Sequence, residues 1–257
     1  MLAGARGPLV IAHRGFSEQY PENTRISFAA ALEYGIDGSE CDVHRSRDGV
    51  VYLLHDHTLA RTAGLDQPAD ALDWGKLTQL DAGGWKDPRF AGERLPALDQ
   101  ILELHAGRGT LVIELKALGE MTQLVEGTLA SIDRTNAYGG CSIISFDRDA
   151  VTLAAEREPR VPCLLLLSEI PDKPADRTAL LVDVLARRLR GLSVYHRALD
   201  AAFVREAHRL ALTIWTWTVN GEAVADEMAA MGVDAICTDR PGWLKAHLAK
   251  AGRAAEA

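Results

Sequence analysis

Short apolar runs recur at residues 9–12, 38–43, 111–116, 141–146, 161–166, 191–195, 212–217 and 234–238, and most are followed by a stretch whose apolar positions return every three or four residues. The first pattern is that of strands, the second that of amphipathic helices. Eight alternating strand–helix units imply right-handed βα crossovers and predict a closed (β/α)8 barrel, the TIM barrel of the α/β class; an open doubly wound sheet is the alternative. In the first helix Asn23 stands at the cap position, Ile26, Ala29, Ala30 and Glu33 share a face, and Gly35 suits the left-handed residue that ends it. Between residues 50 and 105 the alternation fails. One extra strand-like run, 50–54, precedes a stretch rich in Asp, Gly and Pro, which predicts a small insertion after strand two, at about 57–97, within one domain spanning 1–257.

Composition narrows the class. The 257 residues carry 36 acidic and 28 basic side chains, a net charge of −8, and 47% are apolar, enough for one large core and too apolar for disorder. The acidic balance argues against nucleic-acid partners and anionic membranes, while leaving room for a local basic pocket. Cys41, Cys141, Cys163 and Cys237 are widely spaced without a CxxC pair and read as reduced core residues. Residues 1–12 hold one Arg and hardly any apolar run, so no secretory signal is expected. No apolar stretch approaches the ~18 residues of a membrane span. The expectation is a cytoplasmic protein without stable membrane insertion, its acidic surface compatible with a monomer or a homodimer.

A parallel barrel works at the carboxyl ends of its strands. There the chain places His13-Arg14-Gly15 after strand one, Glu40 and Asp42 on strand two, and Glu114 and Lys116 on strand three. Residues two apart share a strand face, so each pair points toward the barrel mouth. Three converging carboxylates repel by about 4 kcal/mol per pair at 4 Å and an effective dielectric near 20. A divalent cation would relieve this, and an all-oxygen donor set favours Mg²⁺ or Ca²⁺ over zinc. The competing explanation is a salt-bridge ring of the same carboxylates with Arg14 and Lys116.

The run at 51–54 returns His55-Asp56 to the same rim if it pairs as a hairpin with strand two. Two histidines beside a cation suit phosphodiester chemistry, one taking a proton from the nucleophile and the other giving one to the leaving alkoxide. His44 and His57 are weaker candidates, and His105, His208 and His247 lie in helical patterns and read as structural or exposed. Arg14 and Lys116 supply positive charge for a phosphate. Trp217 shares parity with Trp215 and Thr213, so one aromatic reaches the mouth and the others fill the barrel, core packing being the favoured role of Trp215. Asp239 either lines the site or caps the helix beginning at Pro241.

In order and spacing, the motifs His13-Arg14-Gly15, Pro21-Glu22-Asn23-Thr24, Glu40-Cys41-Asp42-Val43, His55-Asp56 with Arg61-Thr62, Glu114-Leu115-Lys116, Trp217-Thr218-Val219-Asn220 and Thr238-Asp239-Arg240-Pro241 resemble the glycerophosphodiester phosphodiesterase family. The resemblance runs from strand one to strand eight. It implies metal-dependent hydrolysis of small glycerophosphodiesters to sn-glycerol 3-phosphate and an alcohol, with the glycerol 2-hydroxyl as internal nucleophile and a cyclic phosphate opened by water. By position, His13 and His55 match the acid/base pair and Glu40, Asp42 and Glu114 the metal ligands. Arg14 and Lys116 match basic residues near the phosphate, Glu22 lies in the substrate-side motif, and Trp217 matches an aromatic at the mouth. Ser39 and Cys41 stand where the family often has larger aliphatics, and Ala97 where Thr is frequent. Two alternatives remain: a lysophospholipase D-like activity on single-chain lipids, favoured if Leu65, Trp74, Trp85 and Phe90 form an apolar surface beside the mouth, and a non-catalytic phosphate-binding barrel, which predicts a missing histidine or carboxylate.

Overall fold

Alternation of side chains around a ring of strands fixes what the barrel can hold. The computed structural model describes residues 7–255; residues 1–6 and 256–257, including the start of the stretch read against a secretory signal, lie outside the described residues. The strands are β1 (Leu9–His13), β2 (Gly38–Arg45), β3 (Val51–Leu53), β4 (Thr110–Leu115), β5 (Cys141–Ser145), β6 (Cys163–Leu167), β7 (Gly191–Tyr195), β8 (Thr213–Trp217) and β9 (Ala235–Thr238). Eight are parallel neighbours in the order β1, β2, β4, β5, β6, β7, β8, β9, and β9 pairs back with β1 to close the ring. This is the predicted TIM barrel, not the open sheet. β3 stands outside the ring, antiparallel to β2, and begins the predicted insertion.

One parity faces the barrel axis. Ile11, Val112, Ile144, Leu164, Leu166 and Ala235 fill the interior with Trp215, Trp217 and Cys237 packed on them. The other parity, including Val10, Cys41, Ile113, Leu165 and Ile214, packs with the helices in the main core. The four cysteines are free, as expected. At the amino end of β7, Gly191 lies so close to β8 that a Cβ there would fall 2.0 Å from the Thr213 carbonyl oxygen. The register sets His13 beside Glu40 and Asp42 beside Glu114, so the inward ionisable groups form adjacent pairs at the carboxyl end.

The helix α1 (Arg25–Glu33) departs from its prediction in two ways. Its cap residue is Thr24, and Asn23 instead takes a left-handed φ of 55° and turns its amide to Asp42. The buried face is Ser27, Phe28, Ala31 and Leu32, the side of the helix opposite the expected one, and Glu33 is exposed. Phe28 and Leu32 are the large apolar pair four apart and decide the orientation. Gly35 ends the helix with φ 72°, as predicted.

Residues 57–97 carry two short helices, α2 (Ala60–Ala63) and α3 (Trp74–Leu77), and a 3-10 turn at Pro88–Phe90. They close over a small apolar cluster of Tyr52, Leu54, Leu59, Ala69, Leu77, Ala82 and Leu95, and the Tyr52 hydroxyl donates to the Ala69 carbonyl at 2.6 Å. The insertion thus has a core of its own against the rim. The helix α4 (Leu98–His105) follows and returns the chain to the barrel. Among the described residues no helix is long and apolar enough to cross a membrane.

Candidate active site

The β1–α1 loop is bent around the carboxylates of β2. Arg14 (φ 57°) and Gly15 (φ 78°) both lie in the left-handed region, and a Cβ on Gly15 would fall 2.2 Å from Ser27 Oγ, so only glycine fits without a shift. The turn aims the Arg14 backbone N–H at Glu40 Oε2, 3.0 Å away. The Arg14 side chain donates from Nη1 to Glu22 Oε1 at 2.8 Å and lies with Nε 3.2 Å from Asp42 Oδ2. Asn23 Nδ2 donates to the same Asp42 oxygen at 2.8 Å.

Glu40, Asp42 and Glu114 each offer an oxygen within 4.8 Å of the other two. Lys116 Nζ lies 2.7 Å from Glu114 Oε1 and 3.4 Å from Asp42 Oδ1. The predicted ion-pair ring is therefore present, but incomplete: Glu40 Oε1 and Asp42 Oδ1 are buried and accept no hydrogen bond. Burial, and then the charges of Asp42 and Glu114, push the Glu40 carboxyl well above its ordinary range. Glu114 is raised by burial and by Asp42. Burial also works against ionised Asp42, but Arg14 and Lys116 overcome it and bring the group down to about 2. Three clustered carboxylates facing two cations, one of them shared with Glu22, leave excess negative charge beside orphaned hard oxygens. That donor set fits a divalent cation.

Both predicted histidines reach this rim, each oriented by a carboxylate. His13 Nδ1 is 2.6 Å from Asp239 Oδ1, and Asp239 is held in turn by Ser17 Oγ at 3.3 Å and Asn220 Nδ2 at 2.6 Å. Burial opposes ionisation of Asp239, yet its bond to His13 prevails and holds the group at about 2. Of the two roles open to Asp239, the structure selects the site: Arg240 N–H at the start of the last helix, α5 (Pro241–Ala255), goes to Thr238 Oγ1 instead. His55 Nδ1 is 2.7 Å from Asp56 Oδ1, and Asp56 is kept well below the carboxylate range by its bonds to Arg61. Burial lowers the pKa of His55. His44 is buried edge-to-face with His57, at 6.0 Å, and burial pulls it down to about 4. His105 is buried in α4, His208 is exposed beside Asp234, and His247 pairs with Asp226.

These groups open onto one cavity of about 650 Å³, counting the space open to solvent. His13, Arg14, Glu40, His55, Glu114 and Lys116 line its polar side, and Ile144, Phe146, Leu166, Trp215 and Trp217 its apolar side. Asp42 lies behind the lining, fully buried, and Glu22 grips the guanidinium groups of Arg14 and Arg61. Trp217 is packed between Phe146 at 5.7 Å and Tyr195 at 5.4 Å, and its Nε1 donates to the Ser193 carbonyl. Trp215 both packs in the barrel and lines the cavity. Phe146, 46% exposed at the mouth, went unrecognised in the sequence, although it shares parity with the interior residue Ile144. Leu65 and Trp74 turn into the insertion's own cluster, whereas Trp85 lies under Arg61 and Phe90 packs on Tyr20. The four do not make one apolar surface.

A TIM barrel whose mouth joins two carboxylate-bound histidines to a buried acidic triad and two cationic side chains has the makeup of a phosphoric diester hydrolase. The profile of the glycerophosphoryl diester phosphodiesterase family matches residues 13–243, and the chain belongs to that family. It is 30% identical to a glycerophosphodiester phosphodiesterase of Caldanaerobacter subterraneus, over 95% of this chain and 99% of that protein. Among solved structures, a phosphodiesterase from Oleispira antarctica in complex with the product sn-glycerol-3-phosphate is 27% identical with a TM-score of 0.86, covering 95% of this chain and 97% of the other. A glycerophosphodiester phosphodiesterase from Agrobacterium tumefaciens is 26% identical with a TM-score of 0.78, covering 93% and 99%.

Proposed function

We propose that the protein hydrolyses small glycerophosphodiesters to sn-glycerol 3-phosphate and an alcohol, with His13 and His55 as the acid/base pair. The observation that carries this is the matched pair of histidines, each with Nδ1 on a carboxylate and both lining the same cavity as Glu40 and Glu114. An ionised carboxylate only accepts, so each Nδ1 keeps its proton and each Nε2 is left for the substrate. His55, lowered by burial, is neutral near pH 7 and suits the base that takes the proton of the attacking hydroxyl. His13 is left to protonate the departing alkoxide. Arg14 and Lys116 bind the phosphate oxygens, and Trp217 packs on the carbon skeleton of the substrate. The glycerol 2-hydroxyl oxygen as nucleophile, four bonds from phosphorus, closes a five-membered ring and needs no second molecule to be oriented in the first step.

Glu40, Asp42 and Glu114 would hold the divalent cation, Mg²⁺ or Ca²⁺. When bound it supplies Lewis-acid stabilisation of negative charge on the phosphoryl oxygens. The Oleispira neighbour, solved with sn-glycerol-3-phosphate, supports a substrate of this size. A polar diester is preferred over a lysolipid because the insertion's aromatics form no single apolar surface: Trp74 packs into the insertion's own cluster, Phe90 on Tyr20, and Trp85 is flanked by Arg61 and Lys86. No histidine or carboxylate of the set is missing, which argues against a binding-only barrel. The test is release of glycerol 3-phosphate from glycerophosphocholine and glycerophosphoethanolamine after EDTA treatment and after return of Mg²⁺, Ca²⁺ or Mn²⁺. Release restored by a metal is expected. No release with any metal overturns the reading and moves the search to lysolipids.

A further inference from the structure

Arg61 lies on α2, in the insertion and outside the barrel, yet its guanidinium closes a chain between two residues of the site. Nε donates to Asp56 Oδ2 at 2.7 Å and Nη2 to Asp56 Oδ1 at 3.0 Å. Nη1 donates to Glu22 Oε2 at 2.8 Å and Nη2 to Glu22 Oε1 at 2.7 Å. Two carboxylates are thus gripped by both oxygens from one planar group. Each also holds a cavity-lining side chain: Asp56 Oδ1 takes His55 Nδ1 at 2.7 Å, and Glu22 Oε1 takes Arg14 Nη1 at 2.8 Å. We infer that Arg61 is a positioning residue, which sets the His55 ring and the Arg14 guanidinium through Asp56 and Glu22, so that docking of the insertion and assembly of the site are one event. The inference rests on the proposed roles of His55 and Arg14.

The geometry demands arginine. A lysine ammonium has no fork and cannot meet both oxygens of two carboxylates in one plane. The insertion has other anchors that bypass Asp56 and Glu22: the Tyr52 hydroxyl on the Ala69 carbonyl, Lys86 Nζ on the Ser17 carbonyl at 2.8 Å, and Arg47 paired with Asp73. These hold the segment down without Arg61, so a change at Arg61 acts first on the two side chains behind it. Without Arg61, Asp56 is left with His55 alone, free to rotate with it, while Glu22 keeps only Arg14. Misplacement of reacting groups by an ångström costs up to about a hundredfold in rate.

The experiment follows glycerol 3-phosphate release from glycerophosphocholine by the full chain with saturating Mg²⁺ or Ca²⁺, for Arg61→Ala, Arg61→Lys, Asp56→Asn, Glu22→Gln and His55→Ala, each with a thermal melt. Arg61→Ala is expected to lower kcat about tenfold or more and to raise KM, and Arg61→Lys to recover little of either. Guanidinium chloride at about 20 mM, far below denaturing levels, is expected to restore part of the Arg61→Ala rate and leave wild type unchanged. The two arms should separate: Asp56→Asn lowers kcat at nearly constant KM, and Glu22→Gln acts mainly on KM. A rate within twofold of wild type in Arg61→Ala, with His55→Ala inactive, overturns the inference and leaves the proposed role of His55 standing. Full activity in His55→Ala overturns both. If Arg61→Ala does not melt cooperatively, Asp56→Asn decides, because it keeps the Glu22 anchor: an unchanged kcat there refutes the positioning role.

Discussion

His13 and His55 each end a short chain of hydrogen bonds, to Asp239 and to Asp56, which fixes the ring and exposes one nitrogen. Replacing either by Ala removes a general acid or base and should cut turnover by about 10² or more. The circular dichroism spectrum and melt should stay near wild type, since both rings are partly exposed; wild-type turnover in both variants would sink the assignment. A different histidine governs acid stability. His105 is buried against the edge of Phe28, its Nδ1 lies 2.9 Å from the Ile101 carbonyl, its Nε2 has no partner, and burial lowers it to about 4. Its folded pKa is below the ordinary value near 6.5, so the unfolded chain takes up the proton first. Stability is then intact above about pH 6.5 and falls as the pH drops toward 4, by up to ~3 kcal/mol from this group. His44, also lowered to about 4, acts with the same sign. His105→Leu should lose less melting temperature than wild type between pH 7 and pH 4.5, and parallel losses would count against the burial argument. Nearly all of the site's ionisable residues could be read from the sequence, because strand parity and local motifs place them. Asp239 could not be settled: its partner His13 is 226 residues away, and the two meet only because β9 closes the ring against β1.

The strands were the legible elements. Their apolar runs are short, bounded and repeated, and the structure moves their ends by one or two residues, as where the run at 161–166 becomes β6 at Cys163–Leu167. Helix phase was harder to read, and α1 shows why: four of its nine residues are small, so the apolar contrast around it is weak and only Phe28 and Leu32 mark the inner face. The role of Asn23 was hidden for another reason. A cap and a left-handed turn residue use the same side chain types, and only the position of Asp42 distinguishes them. Close packing between strands gives a test at this scale. Gly191 begins β7, and its missing Cβ leaves room for the Thr213 carbonyl of β8, so Gly191→Ala must push apart two paired strands. A loss of about 2 kcal/mol or more is expected by chemical denaturation, since the obstructing atom is backbone. Gly64, at the end of α2 with open space around it, serves as the comparison: its φ of 68° strains alanine, but nothing collides with the new methyl. A smaller loss at Gly191 than at Gly64 would show that the strands can yield.

At the scale of the whole molecule, the barrel gathers charge from separate strands into one buried cluster. Glu40 and Asp42 come from β2 and Glu114 from β4, their oxygens are within 4.8 Å of one another, and two of those carboxylates have an oxygen without a hydrogen-bond partner. Folding without a cation therefore holds like charges together in a place where water cannot screen them, and raises the pKa of Glu40 and Glu114 in consequence. A cation would bind this arrangement only after the ring has brought β2 and β4 side by side, because the unfolded chain separates Glu114 from the β2 pair by more than seventy residues. Binding to the folded state alone stabilises it by RT ln(1 + [L]/Kd), about 2.7 kcal/mol at a hundredfold excess over Kd. For a chain of this size that is a rise of roughly 5–10 °C in melting temperature. The expected result is such a rise on adding Mg²⁺ or Ca²⁺ to EDTA-treated protein, lost in Asp42→Asn and Glu114→Gln. Glu114→Gln should also melt higher than wild type in EDTA, because it removes a carboxylate whose charge is disfavoured there, whereas Asp42→Asn, which loses a charge paired with Arg14 and Lys116, should not. If Glu114→Gln is instead less stable than wild type in EDTA and the cation shifts nothing, the ion pairs of Lys116 and Arg14 suffice to balance the cluster, and the carboxylates serve the fold instead of a metal.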